Sequence, residues 1–251
     1  MKTIVIKIGG STLGEHDTTL EDIVALQKKG MCPVVVHGGG RKITEWLDAL
    51  GVATTFKDGL RVTDERSLEV VVGVLCGIVN KELVSAINKL GGKAVGLSGF
   101  DGGMIDAEIV DEELGYVGEV KKVDAAPIRA VIDVGYIPVI APGGLSGKHM
   151  LNVNADSVAG EVAVALKADK MIFLTDVEGV KDKSGTLFTT LHKEEMASLL
   201  DHSIISGGMI PKMYACIRSL LAVDEAMVID GRQEHALMRA LAGKKTGTVI
   251  K

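Results

Sequence analysis

Short apolar runs recur along the chain, each closed by a polar or glycine-bearing turn and followed by a stretch with helical spacing. Residues 3–8 (TIVIKI), 33–37 (PVVVH), 93–97, 137–141 (IPVIA) and 170–175 (KMIFLT) read as buried strands. Residues 18–29, 41–50, 124–134, 155–166, 193–200 and 210–222 read as helices. Residues 64–90 form a longer helical stretch, with Asp64 placed to cap it. The chain closes strand, helix, strand over 226–229, 234–241 and 248–250. Residues 104–122 break the rhythm; they are charged and punctuated by glycine, and predict hairpins. Strands alternating with helices predict βαβ units and a mainly parallel sheet.

Composition sharpens this picture. Aromatic residues are only 3% of the chain, so the core must rest on Val, Ile, Leu, Ala and Met. Such side chains suit parallel strands covered on both faces by helices. A length of 251 residues accommodates one α/β domain or two intimate lobes. A seam between lobes would fall between 142 and 152, where a Gly-rich loop meets the next helix.

Net charge is −5 and the pI is about 5.7, which builds no basic face for nucleic acid. Cys32, Cys76 and Cys216 form no CxxC pair and sit in apolar runs, as free thiols of a reducing compartment do. Lys2 and Lys7 leave no room between them for a signal sequence. No apolar run approaches the roughly 20 residues that span a membrane. The expectation is a cytoplasmic protein with neither nucleic acid nor membrane as partner.

Three glycine clusters follow apolar runs or precede helices: Gly9-Gly10-Ser11, Gly38-Gly39-Gly40 and Ser206-Gly207-Gly208. Ligands of open α/β sheets bind at the carboxyl ends of strands, where glycine lets backbone N–H groups approach phosphate. A tight turn alone also accounts for paired glycines. No GxGxxG follows the first strand, and 143–149 (GGLSGKH) departs from the P-loop in its first glycine and in His149.

Two lysines are misplaced for a bland surface. Lys7 lies inside TIVIKI, where a cation is costly unless it meets an anion or the strand is an edge. Lys212 follows Pro211 at the start of a helix, the positive end. Phosphoryl transfer needs such cations, because its transition state spreads negative charge over several oxygens. Asn152, Asn154 and Asp156 alternate with apolar residues, so that extended backbone would put them on one face; one of them could instead cap the next helix. Asp156 is the candidate counter-charge for both lysines. Asp176 ends a strand, suited to nucleotide contacts, and Arg61 could grip a carboxylate with its planar fork.

Taken together these residues resemble the amino acid kinase family, and within it the acetylglutamate kinases. The matching pieces are KIGG at 7–10, VHGGG at 36–40, GLRVT at 59–63, CGIVNKELV at 76–84, KAVGLSGFDGG at 93–103, GYIPVIAP at 135–142, NVNAD at 152–156, LTDVEGV at 174–180 and GGMIPK at 207–212. They run in order across nearly the whole chain. The resemblance implies a three-layer αβα sandwich around a mainly parallel eight-stranded sheet. The half up to about residue 150 would bind the acyl amino acid, and residues from about 151 to 251 ATP. Lys7 and Lys212 would be the transition-state lysines, organised by Asp156, with Gly10 and Gly39 offering N–H groups to the phosphoryl. Gly39, Gly40, Arg61 and Asn152 would bind acetylglutamate. Gly9, Gly10, Thr175, Asp176, Val177, Gly179, Val180, Lys181, Ser206, Gly208, Met209 and Lys212 would line the nucleotide site. Mg2+ would be held mainly by the phosphates of ATP, with no protein ligand named.

The closest rival is the family member acting on a carrier-bound aminoadipate derivative, which tends to lack NVNAD. Aspartokinases carry a further regulatory domain, and uridylate and carbamate kinases fit GLRVT and NVNAD poorly. A sensor without turnover would have lost Lys7, Asp156 or Lys212. The resemblance also implies a homodimer. Leu68, Val71, Val72, Leu75, Ile78 and Val79 of the long helix could pack across its two-fold axis, or merely cover the sheet. Arginine-inhibited relatives carry a helix ahead of strand one. A strand beginning at Thr3 therefore points to arginine insensitivity, although 247–250 (GTVI) resembles a segment of the arginine site.

Overall fold

The alternating runs fold around one large sheet in the computed structural model, which describes residues 1–9, 18–201, 205, 207–244 and 246–251. The strands are β1 (Thr3–Ile8), β2 (Cys32–His37), β3 (Phe56–Lys57), β4 (Leu60–Arg61), β5 (Ala94–Ser98), β6 (Ile105–Ile109), β7 (Val117–Val123), β8 (Ile137–Ala141), β9 (Gly144–Ser146), β10 (His149–Val153), β11 (Lys170–Thr175), β12 (Thr190–Leu191), β13 (Ala226–Asp230) and β14 (Thr248–Ile250). The helices are α1 (Thr19–Lys28), α2 (Gly40–Ala49), α3 (Glu65–Val72), α4 (Asn80–Lys89), α5 (Ala126–Asp133), α6 (Ala155–Leu166), α7 (Lys193–Asp201), α8 (Met209–Ser219) and α9 (Ala236–Leu241).

Among the described residues the large sheet has eight strands in the order β12-β14-β13-β11-β1-β2-β8-β5. Its pairings are parallel except β13 with β14. β1 is therefore central, which removes the edge-strand explanation of Lys7. That residue lies opposite Phe173 on one side and Val36 on the other. Alternate residues of each strand feed two cores. Val5, Val34, Val36, Phe173 and Val228 pack with α6 and α8 residues on one face. Ile4, Ile6, Ile8, Val35 and Ile229 pack with α1, α4 and α9 residues on the other. Both faces being covered explains why the strands read as continuous apolar runs rather than alternating ones.

Several expectations need correction. Residues 142–152 are not simply a loop, because β9 and β10 pair antiparallel there and join β6 and β7 in a small closed barrel. The dipeptide strands β3, β4 and β12 escape periodicity because two residues show none. The stretch 64–90 is one continuous helical rod, but Gly73–Val79 within it is wound as a π-helix between α3 and α4. Asp64 caps it as expected, its Oδ1 accepting the Ser67 N–H at 2.7 Å. The rod Glu65–Lys89 is, by length and composition alone, apolar enough to cross a membrane, contrary to the expectation for the chain. In the fold one face of the rod is packed, with Val71, Val74 and Leu75 against Ile43, Leu47 and Ala141, and a third of its apolar window is buried. Leu68 is buried as well, so Leu68, Val71 and Leu75 cover this chain's own core. Asn152, Asn154 and Asp156 do not share an extended face. Asn154 caps α6, accepting the Asp156 N–H at 2.8 Å, and Asp156 is already in the helix.

A polar staple ties α9 to α1. The His235 N–H donates to Thr18 Oγ1 at 2.6 Å, and its Nδ1 lies 2.7 Å from Oδ1 of the buried Asp22. The other carboxylate oxygen of Asp22 accepts the Met238 N–H at 3.2 Å. Hydrogen bonding to Asp22, then the charge of that carboxylate, raises the His235 pKa above its ordinary value. A raised folded-state pKa gives stability that is fully present below the unfolded value and lost as pH rises through the folded one. The stability lost in His235→Asn should therefore be larger at about pH 5.5 than at about pH 9 in urea unfolding. An equal loss at both would show that the staple works without the charge.

Candidate active site

Two lysines from separate elements converge on one carboxylate. Asp156, in the first turn of α6, lies beneath the carboxyl end of β1. Its Oδ1 is 2.7 Å from Lys7 Nζ, and its Oδ2 is 3.3 Å from Lys212 Nζ. The Lys7 and Asp156 side chains are only 8% and 7% exposed. The Lys7 contact is close but not aligned as a hydrogen bond, so Oδ1 has no well-directed donor among the described residues. Lys212, in the first turn of α8, also donates to the Gly208 carbonyl at 3.1 Å. The approach of α6 to α8 sets this geometry. A Cβ on Gly160 of α6 would come within 2.9 Å of the Ala215 carbonyl of α8, so only glycine lets the helices meet so closely. Beside the cluster, burial and then Asp156 push the Cys216 thiol well above its ordinary pKa, which leaves it inert.

Next to Lys7 and Asp156 is a cavity of about 210 Å3, lined also by Gly39, Gly40, Arg61 and Asn152. Its walls include Ile43, Phe56, Leu60 and Leu75. Arg61 is buried and fixed on three sides. It donates to Thr44 Oγ1 at 2.7 Å, to the Gly40 carbonyl at 3.1 Å and to Thr54 Oγ1 at 3.3 Å. Its guanidinium carbon sits 4.8 Å from the centroid of the Phe56 ring. Burial pulls its pKa down, with Asp48 opposing, and no carboxylate pairs with it among the described residues. A buried fork held by neutral partners is a ready site for a ligand carboxylate. Asn152 donates to Thr63 Oγ1 at 3.1 Å. Gly39 is pressed by the π-helical segment, where a Cβ would stand 2.7 Å from Leu75 Cδ2.

A second cavity, of about 710 Å3, opens at the carboxyl ends of β11 and β13. Asp176, Val177, Gly179, Val180, Lys181 and Met209 line it. Met209 and Lys212 are one helical turn apart on α8, so that helix links the large cavity to the lysine cluster. The other expected residues are placed differently. Thr175 is buried, with its hydroxyl engaged by Val177 and Ile229, and does not line the cavity. Gly208 caps α8, and Gly9 lines a smaller cavity beside Gly38 and Gly39. Gly10 and Ser206 lie outside the described residues. Sequence reasoning missed Thr44, Phe56 and Arg232. Arg232 lines the large cavity while its fork pairs with Asp230 at 2.9 Å. Phe56 had one available signal, as one of only four phenylalanines.

The family model described as the amino acid kinase family matches residues 2–230. The chain belongs to the amino acid kinase family. An acetylglutamate kinase from Dehalococcoides mccartyi is 42% identical over 98% of this chain and 93% of its own length. One from Heliobacterium modesticaldum is 45% identical over 99% and 92%. Among solved structures, smu.665 from Streptococcus mutans UA159 superposes with a TM-score of 0.86 at 31% identity, covering 99% of this chain and 98% of that one. The carbamate kinase from Giardia lamblia bound to AMP-PNP reaches 0.71 at 17% identity, with 99% and 98% covered; at that distance it shows the fold alone.

Removing Lys7 leaves Asp156 paired with Lys212 among the described residues. Lys7→Met should therefore fold and lose no more than about 1 kcal/mol in urea unfolding, because the remaining pair still balances charge. A loss on the order of 3 kcal/mol would mean that Lys212 alone does not satisfy the carboxylate.

Proposed function

We propose that this protein transfers the γ-phosphoryl group of ATP to the side-chain carboxylate of N-acetyl-L-glutamate, the kinase step of arginine biosynthesis. The carrying observation is the Lys7–Asp156–Lys212 cluster beside a cavity whose buried Arg61 pairs with no carboxylate among the described residues. The names of the relatives favour acetylglutamate over an aminoadipate derivative.

The acceptor enters the smaller cavity, with Arg61 on its main-chain carboxylate, Asn152 on its acetamido group and the Gly39 and Gly40 backbone alongside. Its side-chain carboxylate then points toward Lys7. ATP occupies the larger cavity lined by Asp176 to Lys181, with its phosphates reaching past Met209 toward Lys212. An oxygen of the acceptor carboxylate attacks the γ-phosphorus while the bond to the β,γ-bridging oxygen breaks. The products are N-acetyl-L-glutamyl 5-phosphate and ADP. Lys7 balances charge on the moving phosphoryl and Lys212 the charge growing on ADP, while Asp156 holds both ammonium groups in place. Cations and backbone N–H groups are the donor set that fits phosphate oxygens. Mg2+ would accordingly come bound to ATP and neutralise part of the phosphate charge. Residues to about 150 thus supply most of the acceptor cavity, and residues from about 151 onward the nucleotide cavity.

Free Cys32, Cys76 and Cys216 fit a reducing cytoplasm. A homodimer is the assembly we favour, since two-fold dimers are the commonest closed oligomers and Trp46 on α2 and Leu50 just past its end stand partly exposed. Light scattering should give twice the monomer mass, and a monomer or hexamer would refute this.

The deciding experiment is ADP release with acetylglutamate, acetylaminoadipate, aspartate and UMP in parallel. Acetylglutamate should be turned over best; a preference for acetylaminoadipate would reassign the substrate. Lys212→Ala should lower kcat by roughly 100-fold, as for the loss of one preorganised transition-state donor. Arg61→Ala should instead chiefly raise KM for acetylglutamate. A rise in KM for ATP alone would put Arg61 on the wrong side of the transfer.

A further inference from the structure

Beneath the loop that carries Gly39, a histidine is clamped between two partners. Lys7 pairs with Val36 across β1 and β2, so His37, one residue on, projects to the opposite face of the sheet. It is buried there. Its Nδ1 lies 2.9 Å from the Gly38 carbonyl oxygen, and its Nε2 lies 3.2 Å from Nδ2 of the equally buried Asn80. The orientation of the Asn80 amide is fixed independently. Lys81 Nζ, which can only donate, meets Asn80 Oδ1 at 2.9 Å, and Asn80 Nδ2 donates to the Val139 carbonyl at 2.8 Å. The NH2 group therefore faces the ring. A carbonyl on one side and an NH2 on the other select the neutral imidazole with its proton on Nδ1.

That proton has a geometric consequence. The Gly38 N–H donates to the Ile8 carbonyl at 3.0 Å, and its C=O is taken by His37, so both polar groups of this residue are fixed. The described chain has no cis peptide bond. In a planar trans peptide, C=O and the following N–H point in opposite directions. With the Gly38 C=O drawn to the α4 side, the Gly39 N–H is turned to the Lys7 side, into the cavity lined by Lys7, Asn152 and Asp156.

We propose that His37 is a positioning residue for phosphoryl transfer: its Nδ1–H pins the Gly38 carbonyl, and this aims the Gly39 N–H at the moving phosphoryl group, with Asn80 locking the ring. The inference rests on the proposed function, which puts the phosphoryl beside Gly39. His37 itself touches no substrate. Burial first, then the charges of Lys7 on β1 and Lys81 on α4, push its pKa down to about 4 against the Gly38 hydrogen bond. Arg41, Lys42, Glu45 and Glu82 are the other charged groups lining the small cavity beside the ring. A ring kept neutral holds one tautomer across the working range; an imidazolium would turn a second N–H onto the Asn80 NH2 and break the clamp.

Three variants separate this role from that of a buried histidine that is merely satisfied. His37→Leu loses both contacts, His37→Gln keeps an acceptor toward Asn80, and His37→Asn keeps an amide N–H near the position of Nδ1. Corrected for folded fraction, kcat should fall about tenfold or more in His37→Leu and His37→Gln, with both KM values within about threefold of wild type. His37→Asn should recover most of the loss. If His37→Leu fails to fold, the contrast between Gln and Asn carries the test. Equal kcat in the two, or wild-type kcat in His37→Gln, overturns the inference while the proposed function stands. A wild-type chain inert toward acetylglutamate overturns the proposed function and the catalytic half of this inference together. The other half is read without turnover. In 15N spectra of histidine-labelled protein, His37 should carry its proton on Nδ1 at neutral pH and stay neutral at about pH 5.5, above its depressed pKa. An Nε2–H tautomer or an imidazolium there overturns it.

Discussion

Everything around the site depends on one buried carboxylate with two cations on it. Asp156 carries a single negative charge, and Lys7 and Lys212 bring two positive ones, so the cluster is left with an excess of one. Excess positive charge away from water is costly unless an anion arrives. In the proposed function that excess is what would attract phosphate oxygens and serve a transition state richer in charge than its ground state. Without Asp156 the lysines would repel each other and reach for solvent; with neither lysine the carboxylate would be buried without a counter-charge. The three residues are meaningful only as a set.

The rest of the fold can be understood as holding that set still. β1 is a central strand, so the Lys7 backbone is fixed by ladders on both sides. α6 and α8 meet closely at Gly160, which brings a carboxylate on one helix to an ammonium on the other. Arg61 is held in the smaller cavity by Gly40, Thr44, Thr54 and the Phe56 ring. Its guanidinium is positioned by neutral partners, whereas the two ammonium groups are positioned by the Asp156 carboxylate. A fold shared with carbamate kinase at 17% identity does not dictate the acceptor.

Much of this was legible in the sequence, for reasons that can be named. Parallel strands buried on both faces must be continuous apolar runs, so β1, β2, β8 and β11 announce themselves, and Lys7 inside one of them is conspicuous. Asp64 ahead of an apolar rod is a cap for chemical reasons that do not depend on the rest of the fold. Short elements were not legible: β3, β4 and β12 have two residues each, too few to show any period. The π-helical turn at Gly73–Val79 leaves the apolar pattern of the rod almost unchanged, so only the folded structure reveals it.

The sequence by itself marked which residues needed partners: two lysines in apolar or helix-starting positions and an acid in NVNAD. It determined the alternation of strands and helices, and hence the kind of sheet. Tertiary structure alone decided who those partners are. It set Asp156 against both lysines across 149 and 56 residues of chain. It chose Asn154 of the three polar residues as the cap of α6, and sent the Thr175 hydroxyl into the backbone instead of the cavity. It hid His37 under the glycine loop, on the face its neighbour Val36 does not see. Local patterning follows from the short-range geometry of one chain segment. Pairing across the fold depends on how segments far apart in sequence are brought together, and no local pattern encodes that distance.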